Sequence, residues 1–251
     1  MSTENFNSYS KYYDLLYKDK DYESESAYVE GLVKTYQPNA KNILELGCGT
    51  GNHAAILCRS GYDVTGLERS ADMVELANKK GIPNFHPRVA DIIDFKVGEK
   101  FDVAISLFHV LSYLTDNKDL LSCFKAVYDH LNLNGIFVFD VWYTPAVYVQ
   151  QPLTRVKRIS NNEIEVTRIA ESDINYNSNT VDVNYQIIIK DISSGQMEVH
   201  NEKHPMRHFS IPEIEVLAVA TNFEVIKTEE FQTHNSPGSN TWGVCFVLKK
   251  K

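Results

Sequence analysis

A glycine-rich segment that follows directly on an apolar run constrains this chain more than any other feature. Residues 43–51 read ILELGCGTG. An apolar run around a single acid, Glu45, is typical of a buried parallel strand, and glycines at alternate positions let the backbone turn sharply and approach a ligand that a Cβ would block. A helix predicted from about residue 52 to 60 would point its free N–H groups at the same place. We therefore expect a strand, a tight turn and a helix in an α/β sheet, with a ligand at the turn.

An acidic residue marks the end of the next predicted strand. Glu68 closes the run DVTGLE at residues 63–68, seventeen positions after Gly51. A carboxylate at the carboxyl end of a neighbouring strand can accept both hydroxyls of a ribose. The dinucleotide fingerprint would need a small third residue at position 52, which is Asn52 in this chain. These features favour a nucleoside site over two alternatives, a purely structural glycine turn and a nicotinamide-dependent enzyme.

Strand and helix patterns alternate as far as residue 141. Apolar spacing predicts strands at 42–46, 63–67, 83–89, 101–107 and 135–141. It predicts helices at 25–36, after the N-cap Ser70, and at 120–131. This alternation predicts an α/β fold with a doubly wound, parallel sheet. The chain later returns to a helix at 212–221 and to strands at 224–230 and 242–249.

Between residues 155 and 209 the apolar residues recur at every second position. Two polar clusters, at 177–179 and 193–195, separate these runs as turns. We therefore predict an antiparallel β-meander, residues 154–209, inserted after the fifth strand and covering the substrate side. Residues 1–36 are expected to form an N-terminal helical cap, and the whole chain, 1–251, a single domain.

Composition argues against two classes of partner. A formal net charge of −8 and an isoelectric point near 5.5 disfavour nucleic acid, because nucleic-acid binders concentrate basic residues. The longest apolar stretch, residues 136–143, is interrupted by Asp140 and is too short to span a membrane. The four cysteines form no CxxC pair, which favours reduced thiols in a cytoplasmic protein. We expect a small-molecule substrate and consider a homodimer as a candidate assembly.

Residues 45–51, together with Glu68, resemble the cofactor-binding motifs of class I S-adenosylmethionine (SAM)-dependent methyltransferases. The resemblance implies a seven-stranded, mostly parallel, Rossmann-like sheet with an antiparallel last strand, and SAM as cofactor. It implies that Glu68 binds the ribose and that Asp91, with Ile92, binds the adenine amino group. Met73 would pack on the adenine or simply belong to the core. The implied cofactor-binding residues are Tyr22, Glu45, Gly47, Cys48, Gly49, Gly51, Glu68, Arg69, Met73, Asp91, Ile92 and Leu107.

A closer resemblance extends over nearly the whole chain. The segments YDLLY at 13–17, KDY at 20–22, GLERSADM at 66–73 and WYTP at 142–145 look like those of N,N-dimethyltransferases that act on dTDP-linked amino sugars. The resemblance implies that Tyr17 lies on the sugar-nucleotide side, that Tyr22 reaches SAM, and that Trp142 and Tyr143 border the substrate. The family's arginine in its closing Gly-rich turn falls at or near Trp242 here. Another anchor for a substrate pyrophosphate is therefore expected, with Arg155, Arg158 and Arg207 as candidates.

Three functions compete at this point. N-methylation of a nucleotide-linked amino sugar needs no strong base, because a free amine already carries a lone pair. O-methylation of a sugar or another small hydroxylated metabolite needs a base, for which His109 is the candidate. A non-catalytic SAM-binding protein is the third, and the intact motif residues argue against it. The expected catalytic residues are Tyr17, Tyr113 and His109, and the expected substrate-binding residues are Tyr13, Tyr17, Trp142, Tyr143 and Arg207.

Three histidines, His200, His204 and His208, are spaced by four residues, which on a helix would favour a metal site. Pro205 lies inside the series and the flanking pattern is that of a strand, so we expect no metal. The fourth strand is followed neither by the Pro-Pro clamp of base-amino methyltransferases nor by a Pro-Cys nucleophile. Nucleobases are therefore not expected as substrates.

Overall fold

The computed structural model describes residues 12–251 and contains two β-sheets connected by helices. Residues 1–11, the first part of the expected cap, lie outside the described part of the chain. Residues 12–16 are helical and are called α1. The other helices are α2 (Tyr22–Tyr36), α3 (Asn52–Arg59), α4 (Ala71–Lys79), α5 (Asn117–His130), α6 (Thr144–Gln150) and α7 (Ile211–Ala220), with a 3-10 turn, η1, at Val110–Tyr113.

The larger sheet contains seven strands and confirms the predicted architecture. Its strands are β1 (Asn42–Leu46), β2 (Asp63–Glu68), β3 (Phe85–Val89), β4 (Phe101–Ser106), β5 (Leu131–Trp142), β10 (Phe223–Glu230) and β11 (Gly243–Lys250). They lie in the order β10, β11, β5, β4, β1, β2, β3. The pairings among β1 to β5 are parallel, and β11 runs antiparallel to both β5 and β10. The sheet is therefore doubly wound, with the expected antiparallel last strand.

The predicted meander forms a second, antiparallel sheet. Its four strands, adjacent in chain order, are β6 (Arg155–Ser160), β7 (Ile164–Asn175), β8 (Thr180–Asp191) and β9 (Met197–Arg207). The chain rejoins the larger sheet just after β9, where the Phe209 N–H donates to the Trp142 carbonyl at 2.8 Å. The insertion is thus anchored at the carboxyl end of β5, on the edge of the sheet where the glycine turn also lies.

Apolar layers cover both faces of the larger sheet, because side chains alternate along each strand. In β5, Phe137 and Phe139 face a layer that includes residues of α5 and α7, while Ile136 and Val138 face a layer that includes residues of α2 and α3. Burying each such side chain contributes about 1.5–3 kcal/mol. Within residues 12–251, no helix combines the length and apolar character needed to cross a bilayer.

Three elements begin three or four residues before the predicted position, and one helix is not predicted. α2 begins at Tyr22, three residues early, after the N-cap Asp21. β5 begins at Leu131, four residues early, because the exposed residues 132–134 continue the strand. α5 begins three residues early, after the N-cap Asp116, whose side chain accepts a hydrogen bond from the Lys118 N–H. The apolar pattern does not predict α6, in which Pro145 occupies the first turn, a position that requires no N–H donor.

Candidate active site

The three glycines between β1 and α3 have left-handed backbone conformations, with φ of 69° at Gly47, 55° at Gly49 and 80° at Gly51. A Cβ on Gly47 would lie 2.6 Å from a methyl carbon of Val110, and one on Gly51 would lie 2.4 Å from Phe85 Cε1. Among the described residues, a Cβ on Gly49 would meet only the Tyr13 hydroxyl, at 4.0 Å. Gly47 and Gly51 therefore make room for protein side chains, and within residues 12–251 Gly49 faces open space. The close approach of all three glycines to a ligand stays a prediction.

Glu68 ends β2 beside this turn. Its Oε2 accepts a hydrogen bond from the Gly49 N–H at 3.1 Å, and its Oε1 accepts one from the Ser70 N–H at 2.8 Å. Burial raises the pKa of Glu68, and the backbone donors, together with the charge of Arg69, offset part of this rise. The carboxylate is held at the end of a strand against the glycine turn, where a ribose-binding acid is expected.

Glu45 is a second acid, buried in the strand that leads into the turn. Its side chain is 2% exposed, and its Oε2 has no hydrogen-bond partner among the described residues. Burial, reinforced by the nearby charge of Glu68, raises the pKa of Glu45 to about 8. Its Oε1 lies 3.9 Å from His53 Nδ1, and His53 Nε2 lies 2.8 Å from Glu25. An unsatisfied buried carboxyl oxygen costs stability, so a cationic ligand at the turn would be a favourable neighbour.

A polar network attaches α1 to the glycine turn. Asp14 accepts a hydrogen bond from the Thr50 hydroxyl at 2.7 Å. Lys80, which follows α4, donates to Thr50 at 3.0 Å and to Asn52 at 2.8 Å, and its Nζ lies 3.2 Å from Asp14. Three elements that are distant in sequence therefore meet here, and their contacts bring Tyr13 to the turn.

A cleft of about 40 Å³ lies between this turn, the segment after β4, and residues 13–22. Of the predicted site residues, Tyr13, Tyr22, Gly47, Cys48 and Leu107 line it. A larger cavity of about 500 Å³ lies between residues 93–100 and α5, and no predicted site residue lines it. We place the site at the smaller cleft, because the glycine turn and the tyrosines converge there.

Aromatic rings continue from this cleft to the ends of β5 and β11. Each neighbouring pair in the series has ring centroids 4.9–6.2 Å apart, a separation typical of interacting aromatic side chains. The series is Tyr13, Tyr17, Phe108, His109, Trp142 and Trp242. The structure therefore brings the expected acceptor-side residues Tyr13, Tyr17 and Trp142 into one wall, and it adds Phe108 and Trp242.

His109 occupies a strained position in this wall. Phe108 and His109 have φ of 64° and 61°, a left-handed pair that costs roughly 1–2 kcal/mol per residue. His109 Nδ1 lies 2.7 Å from Oδ2 of the buried Asp140, and the His109 N–H donates to Oδ1 of the same residue at 3.3 Å. Burial alone would raise the pKa of Asp140, but the charge and hydrogen bonds of His109 hold it below its ordinary value. Asp140, which the prediction missed, therefore orients His109.

Two arginines, Arg207 and Arg168, have different surroundings. Arg207 forms an ion pair with Glu213 and donates to Asn117 at 2.7 Å, contacts that join β9 to helices α5 and α7. Arg168, which the prediction did not select, donates to the Tyr17 hydroxyl at 3.0 Å and stacks on Tyr185 with 5.0 Å between its guanidinium carbon and the ring centroid. The structure thus commits Arg207 to a structural contact and places Arg168 against the aromatic wall.

The remaining predicted residues divide between the turn region and the core. Met73 is buried in an apolar cluster with residues of α1 and the meander, which favours its core role. The Asp91 carboxylate accepts a hydrogen bond from the Ile93 N–H at 3.0 Å, and Ile92 packs against the layer that contains α5. The Tyr143 N–H donates to the Trp242 carbonyl at 3.0 Å, so Tyr143 joins β5 to β11 at the end of the aromatic wall.

The histidine series lies on and just after β9. His204 is buried, and its Nδ1 lies 3.0 Å from the hydroxyl of Tyr113, the third expected catalytic residue. The His208 Nδ1 lies 2.9 Å from the Thr144 hydroxyl, and burial lowers the pKa of His208 to about 4.

Within residues 12–251, no three His, Cys, Asp or Glu residues are grouped as metal ligands. The four cysteines are free thiols.

Comparisons with known proteins agree with this geometry. Residues 43–135 match the model of a methyltransferase domain family. The chain is 33% identical to the dTDP-3-amino-3,4,6-trideoxy-alpha-D-glucopyranose N,N-dimethyltransferase of Streptomyces venezuelae, over 54% of this chain and 58% of that protein. It is 27% identical to the dTDP-3-amino-3,6-dideoxy-alpha-D-glucopyranose N,N-dimethyltransferase of Streptomyces fradiae, over 85% of this chain and 82% of that protein.

The fold also matches a solved structure. A SAM-dependent methyltransferase from Clostridium acetobutylicum superposes with a TM-score of 0.82 at 20% identity, over 98% of both chains. The expected fold class is therefore confirmed, and the relatives are of the kind that the sequence motifs resemble. Residues 43–135 of this chain are thus similar in sequence to a methyltransferase domain family.

Proposed function

We propose that this chain transfers methyl groups from SAM to the amino nitrogen of a nucleotide-linked amino sugar. The observation that carries the proposal is the aromatic wall, which extends from the glycine turn to Trp242 and contains two tyrosines of the N-terminal segment, Tyr13 and Tyr17. The relatives from the two Streptomyces species, which are N,N-dimethyltransferases of dTDP-linked amino sugars, support the substrate class.

The glycine turn and its two acids fit SAM. Gly49 leaves open space in front of the Tyr13 hydroxyl, and Glu68 presents a carboxylate at a strand end for ribose hydroxyls. The unsatisfied oxygen of Glu45 suits a positively charged ligand. When bound, SAM would supply a methyl group on a positively charged sulfur, an electrophile that the lone pair of the acceptor nitrogen can attack while the sulfur keeps the electron pair of its bond.

The protein's task in this reaction is positioning. The attacking atom must be held roughly 3–3.5 Å from the methyl carbon, with its lone pair in line with the breaking bond. Tyr17 is suited to this role, because its ring is fixed between Tyr13 and Phe108 and its hydroxyl is held by Arg168. The electron-rich ring faces of the wall also favour the cationic methyl donor.

Arg168 is our candidate anchor for the substrate's diphosphate. A guanidinium is suited to phosphate oxygens, because its donors form a planar fork. Arg168 reaches the hydroxyl of Tyr17 from the meander, and this places its charge on the acceptor side. Trp242, at or near the position where the resembling family has its arginine, instead packs on Trp142 and donates to Gln150 at 2.6 Å.

The test uses purified full-length protein with isotope-labelled SAM and two matched acceptors. One acceptor is the dTDP-3-amino sugar that the Streptomyces venezuelae relative acts on, and the other is the same sugar with a hydroxyl in place of the amine. We expect methylation of the amino sugar on nitrogen, identified by mass spectrometry and NMR. Methylation of the hydroxyl sugar alone would refute the proposal.

A second candidate, O-methylation, is favoured by one specific observation. The pair of Asp140 and His109 combines a buried carboxylate with an imidazole in the aromatic wall, an arrangement that can activate a hydroxyl. The two candidates differ in what they require of His109, and the same pair of acceptors separates them.

Some sequence predictions are not tested by these observations and stay predictions. They are the single-domain organisation, the homodimer, the cytoplasmic location and the absence of a nucleic-acid or membrane partner. The roles given to individual site residues belong to the present proposal.

A further inference from the structure

A line of hydrogen-bonded side chains leads from the acceptor side into the meander. The Tyr113 hydroxyl lies 3.0 Å from His204 Nδ1, and His204 Nε2 lies 3.0 Å from Glu202 Oε2. The other oxygen of Glu202 accepts a hydrogen bond from the Tyr12 hydroxyl at 2.8 Å. The line therefore joins three elements, η1, β9 and α1, each of which also contributes to or borders the candidate site.

The two central residues of this line are almost fully removed from solvent. Glu202 is 5% exposed and His204 is 2% exposed. They are two positions apart on β9, so strand alternation places both side chains on the same face. Burying a carboxyl and an imidazole costs free energy unless they are paired. Their mutual contact provides this pairing, and Tyr113, at one end, packs against the same apolar cluster as Trp142 of the aromatic wall.

The hydrogen bonds define where protons can sit. An ionised Glu202 accepts from Tyr12 and from His204 Nε2, so that nitrogen carries a proton. In neutral His204 the Nδ1 atom is then an acceptor, and the Tyr113 hydroxyl donates to it. The Tyr113 oxygen keeps lone pairs that can accept a hydrogen bond from a substrate N–H. The pair thereby fixes Tyr113 as an acceptor toward the substrate.

Further charged and titratable groups surround the line of hydrogen-bonded side chains. Besides Tyr113 and Glu202, the Tyr185 ring packs edge-on with His204, with 4.9 Å between centroids, and the Arg168 guanidinium carbon lies 5.0 Å from the Tyr185 ring centroid. Burial raises the pKa of Tyr113 well above its usual value, with the neighbouring Tyr185, Tyr17, Glu202 and Glu68 adding to the rise. Tyr113 therefore stays neutral and can pass a proton on without holding a charge.

We propose that Tyr113, His204 and Glu202 form a relay that removes the proton from the substrate's ammonium group before methyl transfer, an inference that rests on the proposed N-methylation. The ammonium N–H bond breaks as a proton passes to the Tyr113 oxygen, while the Tyr113 proton passes to His204 Nδ1. The imidazolium formed is stabilised by the Glu202 carboxylate. The nitrogen is left with the lone pair that attacks the methyl group.

The relay has a specific use if two methyl groups are added. The first transfer leaves a secondary ammonium on the sugar, which has no lone pair until it too loses a proton. The same relay serves that step once His204 has released its first proton to solvent. His204 and Glu202 act through Tyr113 and are positioning and proton-holding residues, while Tyr113 contacts the substrate.

The test compares His204→Gln, Glu202→Gln and Tyr113→Phe with the matched control His200→Gln, which changes a histidine on the same strand outside the line. With the dTDP-3-amino sugar at neutral pH, we expect kcat of the His204 variant to fall about 10²-fold, the low end of the range for a lost general base. The loss should shrink as pH rises through the substrate's own ammonium pKa, because solvent then supplies the free amine. The control should keep the wild-type profile.

Three measurements without turnover separate a relay from a structural defect. Calorimetry should give SAM affinity within error of wild type for all three variants, and thermal unfolding should show that each is folded. In NMR spectra of the full chain without SAM, the Nε2–H resonance of His204 should shift in Glu202→Gln, because that proton loses its carboxylate acceptor.

The outcomes distinguish the relay from the function on which it rests. If wild type methylates the amino sugar but His204→Gln keeps the wild-type rate and pH profile, or is impaired equally at every pH, the relay is wrong and the proposed function stands. If wild type methylates only the hydroxyl sugar, both fail.

Discussion

The two glycines Gly51 and Gly49 should respond in opposite ways to the same substitution. Gly51→Ala places a Cβ 2.4 Å from Phe85 Cε1, and the opposite edge of the ring packs close to Gly66, where an added Cβ would lie 2.7 Å from Cε2. Left-handed strain costs roughly 1–2 kcal/mol and the overlap costs about 1–3 kcal/mol more. Gly51→Ala should therefore lower the free energy of unfolding by about 2–5 kcal/mol, a large part of a typical domain's stability.

Gly49→Ala carries only the backbone strain, roughly 1–2 kcal/mol, because its Cβ meets no atom closer than 4.0 Å. The methyl group would occupy the open space beside Tyr13, so SAM affinity should fall while the fold is largely kept. Urea unfolding followed by the fluorescence of Trp142 and Trp242 measures the first effect, and calorimetry with SAM measures the second.

A double variant provides the internal control for this comparison. Phe85→Leu removes the atom that the new Cβ would meet, so the penalty of Gly51→Ala should be smaller in that background, and the two substitutions should show coupling in a double-mutant cycle. The reasoning is refuted if Gly49→Ala destabilises as much as Gly51→Ala and binds SAM with wild-type affinity.

Three further predictions concern the acids and the acceptor. Glu68→Ala should weaken SAM binding by about 1.5–3 kcal/mol, as expected for hydrogen bonds to a charged group, while the exposed Glu75→Ala should leave affinity unchanged in calorimetry. With an amino-sugar acceptor, His109→Ala should retain at least about a tenth of wild-type kcat. This loss is smaller than the loss expected when a general base is removed. Tyr17→Ala should lower kcat by more than His109→Ala does. A near-dead His109→Ala enzyme that still binds both ligands would favour a hydroxyl acceptor. Burial raises the pKa of Glu45 from 4.5 to about 8. Between these two pH values the Glu45 carboxyl is protonated in the folded protein and ionised in the unfolded chain. The free energy of unfolding without SAM should therefore decline as pH rises from 4.5 to about 8. Glu45→Gln should remove that part of the decline in urea unfolding, and an unchanged pH profile would contradict the assignment.

The fold could be predicted well because its signals are local. The central strands β1, β2, β4 and β5 contain apolar runs bounded by turn residues, and apolar residues alternate with period two in the meander strands β7 and β8. The glycine turn and Glu68 could be located for the same reason, since their spacing lies within a single strand–helix–strand unit. The apolar pattern does not predict the exposed start of β5, because Leu133 is a single apolar residue between Asn132 and Asn134, although pairing extends the strand to Leu131.

The contacts between elements could not be read from local patterns. Asp140 was identified only as an interruption of an apolar run, although its position opposite His109 gives it a role. His204 was grouped with two histidines at helical spacing, while in the strand its partner is Glu202, two residues away. Arg168 and Tyr17 are separated by 151 positions. Such pairs depend on how the meander packs on the larger sheet. The spacing of residues within one element does not predict that packing.

The short segment from Tyr13 to Tyr22 has a kinetic consequence. Tyr13 and Tyr22 line the cleft at the glycine turn, and Tyr17, between them in sequence, stacks on Phe108 in the acceptor wall. In the proposed reaction, a movement of this segment would open the cofactor cleft and the acceptor side together. We therefore expect double methylation to be distributive, with monomethylated sugar released and accumulating in solution before the dimethylated product forms.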